Sequence, residues 1–459
     1  MRTLIRHGTV VTAAGAERAD VLVEGAHIAR VAEPIDIAAD RTIDATGRYV
    51  LPGGIDVHTH FDMPYGDTVT ADDFASGTVA AACGGTTCVV DFAVQEPGRP
   101  LRAAVDAWHA RADGKAAVDY GFHCIVCDAG PSLETEMDAL VADGVPSFKL
   151  FTAYPGRLMV DDAAIFRALR RTRENGGTVM VHAENGGVID VLTRAALAEG
   201  RTGPAEHART RPPLAEAEAT HRVLALAELA GAPVYVVHVS AAEAVEELAR
   251  ARGRGVAAFG ETCPHYLLLT DELLAEPGFD GAKYVCSPPL RDRRAQERLW
   301  RALAADELQV VATDHCSFRM QDQKAAGAGD FTRIPGGLPA VETRMSLLFD
   351  AGVRHGRFDI ARFVALTAEQ PAKLFGLWPR KGTIAPGADA DVVVWDPERE
   401  ISLGAAALHM RVDYSPYEGR VAEGAPAVVL AGGRVVVEDG RFVGRAGAGN
   451  FVRRAPRQA

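Results

Sequence analysis

The chain has 459 residues, 48% hydrophobic and 24% charged, which excludes a disordered or fibrous protein and provides for one large core with a smaller one appended. A formal net charge of -12 excludes a nucleic-acid partner held by general electrostatics. No apolar leader-like segment opens the chain and no run of about 18 uncharged apolar residues occurs in it, so a cytoplasmic protein without a membrane partner is expected.

The seven cysteines are an odd number and lie mostly in apolar runs such as TTCVVDF and YVCSPP, as reduced, buried thiols do. Cys124 and Cys127 form a lone CxxC within GFHCIVC. Without a second pair at ligand spacing they read as strand core, not as a zinc knuckle.

Residues 1 to 50 alternate as short strands, LIRHGTVVT, ADVLVEGAHIARVA and RTIDATGRYVL, punctuated by turn glycines. The same texture returns after residue 380 in KGTIAPGADADVVVWDP and VVLAGGRVVVEDGRFVG, so residues 1–50 and 380–445 are expected to pair into one β-sandwich. Residues 446–459, rich in Arg, Gly and Ala, read as a tail.

Between the ends, residues 51–379 hold eight apolar runs of strand length: GIDVHTH, TTCVVDFA, YGFHCIVC, SFKLF, TVMVHAE, PVYVVHVS, GVAAFGE and LQVVATDH. The linking segments have helical spacing. From Asp161 to Asn175, Ile165, Phe166 and Leu169 share a face, and Gly176 and Gly177 end the helix. Eight β/α repeats predict an α/β fold, a (β/α)8 TIM barrel, with a doubly wound open sheet as the competing architecture.

The first run carries the most chemistry. In GGIDVHTHFDMP, His58 and His60 stand two apart on an extended segment and so point the same way, where they can grip one metal ion or pair as core histidines. The other polar exceptions also fall at run ends: Lys149, His182, His238 and Asp314. In a barrel the C-terminal strand ends converge on one rim, so these scattered residues would face a common site. Lys149 is the odd member, because an ammonium cannot ligate a cation. Beside metal ions and inside an apolar strand the neutral amine is favoured, and it can take up carbon dioxide to form an anionic carbamate able to bridge two metals. An isolated lysine would instead pair with Asp314 or Glu184.

HTH, SFKLFTAYPG, VHAENG, VVHVS and ATDHCSF, in that order over essentially the whole chain, resemble the cyclic amidohydrolases, specifically dihydropyrimidinases and bacterial hydantoinases. The resemblance implies a binuclear site of two divalent metal ions, usually zinc. His58, His60 and Asp314 would hold one ion and His182 and His238 the other, with carboxylated Lys149 and a hydroxide between them. It also implies a homotetramer as the usual assembly.

Such a site suits hydrolysis of an unactivated ring amide, which needs a strong nucleophile at neutral pH and a polarised carbonyl. Asp314 is the natural proton shuttle between nucleophile and departing ring nitrogen. Tyr154 resembles the family's oxyanion-binding tyrosine, or else is a rim residue closing the pocket. CSPPLR and IPGGLPAVE resemble the two loops whose main chain orients substrate, placing Ser287 and Gly336. Dihydropyrimidinases commonly have Asn where Gly336 stands, a departure that a backbone contact tolerates.

Position 62 separates relatives. Dihydroorotases typically carry Arg there and allantoinases Asn, whereas here it is Asp62, expected to repel an anionic substrate. HMRVDYSPYEG resembles the tail signature of hydantoinases. The segment Asp62 to Asp73 resembles the loop that, with Ala153 to Asp162, walls the exocyclic pocket, and Met63 and Tyr65 make that wall apolar. The expected substrate is a small cyclic amide, a dihydropyrimidine or 5-substituted hydantoin opened to an N-carbamoyl amino acid. The alternatives are an allantoinase, and a non-catalytic dihydropyrimidinase-like scaffold.

Overall fold

The computed structural model describes residues 1–457. All eight apolar runs form strands, here β1 (Gly54–Thr59), β2 (Thr86–Val94), β3 (Asp119–Ile125), β4 (Ser147–Phe151), β5 (Thr178–His182), β6 (Val234–Val236), β7 (Ala258–Thr262) and β8 (Val310–Val311). Each pairs in parallel with the next along the chain. A parallel bridge between Thr59 and His315 returns β8 to β1, where the His60 N–H donates to the His315 carbonyl at 2.8 Å. That closure decides for the TIM barrel over the open sheet.

The strands are continuous apolar runs because helices cover one face and barrel packing fills the other. Ile55, Val90, Phe92, Met180, Tyr235 and Val310 belong to one buried cluster within the barrel. The helix Asp162–Asn175 shows how local sequence sets its limits. Asp161 caps it by accepting from the Ala164 N–H at 2.8 Å, Ile165 and Leu169 are buried, and Gly176 ends it in the left-handed region at φ 74°.

The two ends of the chain meet in one seven-stranded sheet. Tyr49–Pro52 lies antiparallel to Val392–Ser402, with Val50 opposite Val394. Four strands, Arg2–Arg6, Asp20–Glu24, His27–Ala32 and Arg41–Asp44, make a second sheet. Ile5, Val21, Ile43, Val50, Val392 and Leu430 form one buried cluster across the two.

Residues 447–457 run along the chain's own barrel. Val452 is buried in the barrel cluster and its N–H donates to the Tyr120 carbonyl at 2.7 Å. The Arg454 guanidinium, only 2% exposed, donates to Ser147 Oγ at 2.7 Å and to the Phe122 carbonyl. Arg454 fits there because strand carbonyls and a hydroxyl supply its acceptors.

Candidate metal centre and substrate pocket

The barrel brings the predicted residues together. His58 lies on β1 and His60 just beyond it, Lys149 on β4, and His182 at the end of β5, while His238 follows β6 and Asp314 follows β8. His60, Lys149, His182, His238 and Asp314 line one cavity of about 200 Å³ with Met63, Tyr65, Tyr154, Ser287 and Gly336. His58 is fully buried and contacts this group directly. Tyr154, His238 and Asp314 have positive φ, at 65°, 38° and 48°. Such conformations cost non-glycine residues about 1–3 kcal/mol and gather where surrounding structure holds a functional side chain in place.

Asp314 Oδ1 sits 3.0 Å from His58 Nε2 and 3.1 Å from His60 Nε2. Lys149 Nζ is 2.9 Å from His58 Nε2, and His182 Nδ1 is 2.9 Å from His238 Nε2. Neither Asp314 nor Glu184 is the lysine's partner. Its Nζ lies 4.3 Å from the centre of the Phe92 ring and 5.0 Å from that of Phe151, surroundings that withdraw it from water.

The electrostatics favour ligand forms. Burial lowers His60 to about 4 and also brings His182 and His238 down, so these imidazoles keep a free lone pair. Burial lowers Lys149, favouring its neutral amine. Asp314 is held well below the ordinary carboxylate range: the attraction of His58 and hydrogen bonds from His58 and His60 outweigh the opposing effect of burial. Burial raises the Tyr154 phenol, which therefore stays a neutral O–H donor.

The donor set suits divalent cations. Ligand atoms of His58, His60 and Asp314 lie within 4.8 Å of one another, and His60 and His238 each keep a buried Nδ1 with no hydrogen-bond partner among the described residues. Nitrogen and carboxylate donors with facing imidazoles match the chemistry of such ions.

Glu261 and Arg211, which the sequence did not mark, and Glu184, considered there only as a partner for Lys149, support these residues. Glu261, at the penultimate position of β7, is fully buried; it takes up His58 Nδ1 and accepts from the Tyr235 O–H at 2.8 Å and the His238 N–H at 3.2 Å. Glu184 Oε2 lies 2.7 Å from His182 Nε2 and 2.7 Å from the Arg211 guanidinium, which sits 5.4 Å from the centre of the Tyr154 ring. The polar end of GVAAFGE was the available signal for Glu261. Arg211 carried none, since it sits in a connecting segment.

The two loops expected to orient substrate are tied to each other. Lys324, fully buried, donates from Nζ to the carbonyls of Val285 and Pro335, both at 3.1 Å, immediately before Cys286-Ser287 and Gly336. His207 Nε2 donates to the Cys286 carbonyl at 2.9 Å and lies 3.1 Å from Ser287 Oγ. A Cβ built on Gly336 would meet nothing closer than Ser287 Oγ at 3.8 Å, so space does not demand glycine there. Gly337 is different. At φ 154° its Cβ would run into the Cys316 carbonyl.

Asp62 stands beside the cavity but is not among its lining residues, and its Oδ1 lies 3.7 Å from the Arg111 guanidinium.

The sequence model of the amidohydrolase family matches residues 49–436, and the chain belongs to that family. It is an enzyme of the cyclic amidohydrolase type. It is 54% identical to the D-hydantoinase of Streptomyces coelicolor, over 99% of this chain and 98% of the relative, and 50% identical to that of Geobacillus stearothermophilus, over 99% and 97%. The crystal structure of dihydropyrimidinase from Brevibacillus agri NCHU1002 superposes with a TM-score of 0.99 at 50% identity, covering 100% of both chains.

Proposed function

We propose that this enzyme opens the ring of 5-substituted hydantoins, in preference to dihydropyrimidines, and releases N-carbamoyl amino acids, with the D-configured products its relatives' names imply. The observation that carries the reading is the gathering of four histidines, Asp314 and a desolvated Lys149 beneath a cavity walled by Met63, Tyr65 and Leu158. His58, His60 and Asp314 would hold one divalent ion and His182 and His238 a second, zinc suiting the donors, and Lys149, once carboxylated, would add an oxygen ligand. Such ions supply an activated water at neutral pH and polarise the scissile carbonyl.

The chain's own residues do the rest. Asp314, kept ionised, accepts the proton of the attacking water and returns it to the departing ring nitrogen. The Tyr154 hydroxyl donates to the oxyanion as the carbonyl becomes tetrahedral. Main chain at Ser287 and Gly336 orients the ring, with Lys324 and His207 fixing those loops. Met63, Tyr65 and Leu158 pack against the exocyclic substituent.

We assign the working form to a reducing, cytoplasmic setting, which the seven free cysteines support. We assign it also to a homotetramer. Leu214 and Leu229, 71% and 76% exposed on the helix Pro213–Ala230, are apolar surface a second subunit would cover. Residues 51–379 act as the catalytic unit and 1–50 with 380–445 as its companion.

A chromatographic ring-opening assay across aryl- and alkyl-hydantoins, dihydrouracil, allantoin and dihydroorotate tests the reading. Fastest turnover is expected with D-configured 5-substituted hydantoins. Turnover of allantoin alone, or of none of the panel, would overturn it.

A further inference from the structure

A second group of metal-ligating side chains lies away from the catalytic cavity. Cys83 is the last residue of the helix Phe74–Cys83, which leads into β2, so the thiol lies at the end of the barrel where the strands begin. Glu342 stands two residues before the helix Arg344–Leu348, and His409 lies in the segment joining the strands Val392–Ser402 and Val421–Ala431. Ligand atoms of Cys83, Glu342 and His409 all lie within 4.8 Å of one another. The Glu342 carboxylate grips His409 twice, at the ring Nδ1 (2.7 Å) and the main-chain N–H (2.6 Å).

We propose that Cys83, Glu342 and His409 form a third metal site, for a borderline-soft divalent ion such as zinc, separate from the catalytic pair. The donors are one sulfur, one nitrogen and one oxygen, a set that zinc takes readily. Hydrogen bonds to Cys83 and Glu342 raise His409 to about 10, so an ion entering here would displace a proton from the ring as well as from the thiol; thiolate, carboxylate and imidazole then carry two negative charges, which a divalent ion cancels. The two acidic ligands are 8% and 7% exposed, and the three side chains open together on a cavity of about 340 Å³, which leaves a coordination position for water or a small anion. The site also lies at a helix C-terminus, whose dipole favours a cation and disfavours a free thiolate. That polarity, with the thiol's burial, argues against reading the same three residues as a nucleophilic Cys-His-Glu triad.

The ion would act as a staple. Arg411 already ties the other end of this helix to the same C-terminal segment, donating its N–H to Asp72 at 2.9 Å and its guanidinium to Asp73 at 2.8 Å. Asp72 in turn lies 3.1 Å from the ring of His315, the neighbour of Asp314. Metal at Cys83 would fix the second end of a helix whose first end braces the catalytic rim.

The full-length enzyme reconstituted with Co²⁺ distinguishes this site, because the catalytic donors are nitrogen and oxygen only. A thiolate-to-cobalt charge-transfer band is expected in the near ultraviolet, with one metal equivalent per chain beyond the catalytic complement. Both should vanish in Cys83→Ala and in His409→Ala, the latter a half-exposed position that spares the core, while ring-opening activity persists. No band in the loaded enzyme, or a band that survives both substitutions, would overturn the proposal.

Discussion

Glu261 engages the Nδ1 of His58 inside the barrel and so turns that ring's Nε2 toward Asp314 and Lys149. Carboxylates placed behind a ligating imidazole fix its tautomer and raise its basicity. Glu261→Gln should therefore weaken metal binding about 10–100-fold, as measured by competition with a chelator. Turnover should recover in part at high metal concentration. Unchanged affinity would show that the carboxylate does not orient His58.

Tyr154 keeps its proton because burial raises its pKa, and Arg211 packs against its ring. Tyr154→Phe removes the O–H and little volume. If that O–H serves the oxyanion, kcat should fall by about 10²–10³ with a much smaller change in KM. A change confined to KM would make Tyr154 a pocket wall only.

Lys324 donates to the carbonyls of Val285 and Pro335 and thereby joins the two loops that carry Ser287 and Gly336. Lys324→Met keeps the stem and loses the tether. KM for hydantoins should rise about tenfold, matching the loss of roughly 1.4 kcal/mol of binding. Rigid loops and an unchanged KM would contradict the tether.

The same lysine gives a pH signature. Burial lowers Lys324 from 10.5 to about 7. Between those values the unfolded chain binds a proton that the folded chain refuses, so this group makes stability rise with pH across that window and fall as pH drops toward 7. Denaturant titrations of wild type and Lys324→Met should give a stability difference that shifts toward the wild type as pH rises from 7 to 10.5. A flat difference would mean that the lysine is not held neutral.

Much of this was legible in the chain. The apolar runs marked all eight barrel strands because a covered parallel sheet needs apolar side chains on both faces. His58, His60, Lys149, His182, His238 and Asp314 stood out as polar residues ending such runs, where a barrel gathers its strand ends. Residues acting at one remove were harder to see. Arg211, His207 and Lys324 lie in connecting segments whose paths depend on tertiary packing, and no periodicity marks them. Asp62 shows the converse: its charge was plain, but its pairing with Arg111, more than forty positions along, depended on the fold.

Ring opening and metal content measured on the same preparations of wild type and Lys149→Ala test the catalytic centre most directly, with D-5-substituted hydantoin as substrate and bicarbonate present. The wild type should turn over with both rim ions bound, and Lys149→Ala should lose those ions together with nearly all activity. A Lys149→Ala enzyme that keeps its rim metal and its rate would contradict the bridging lysine and the hydrolase mechanism built on it.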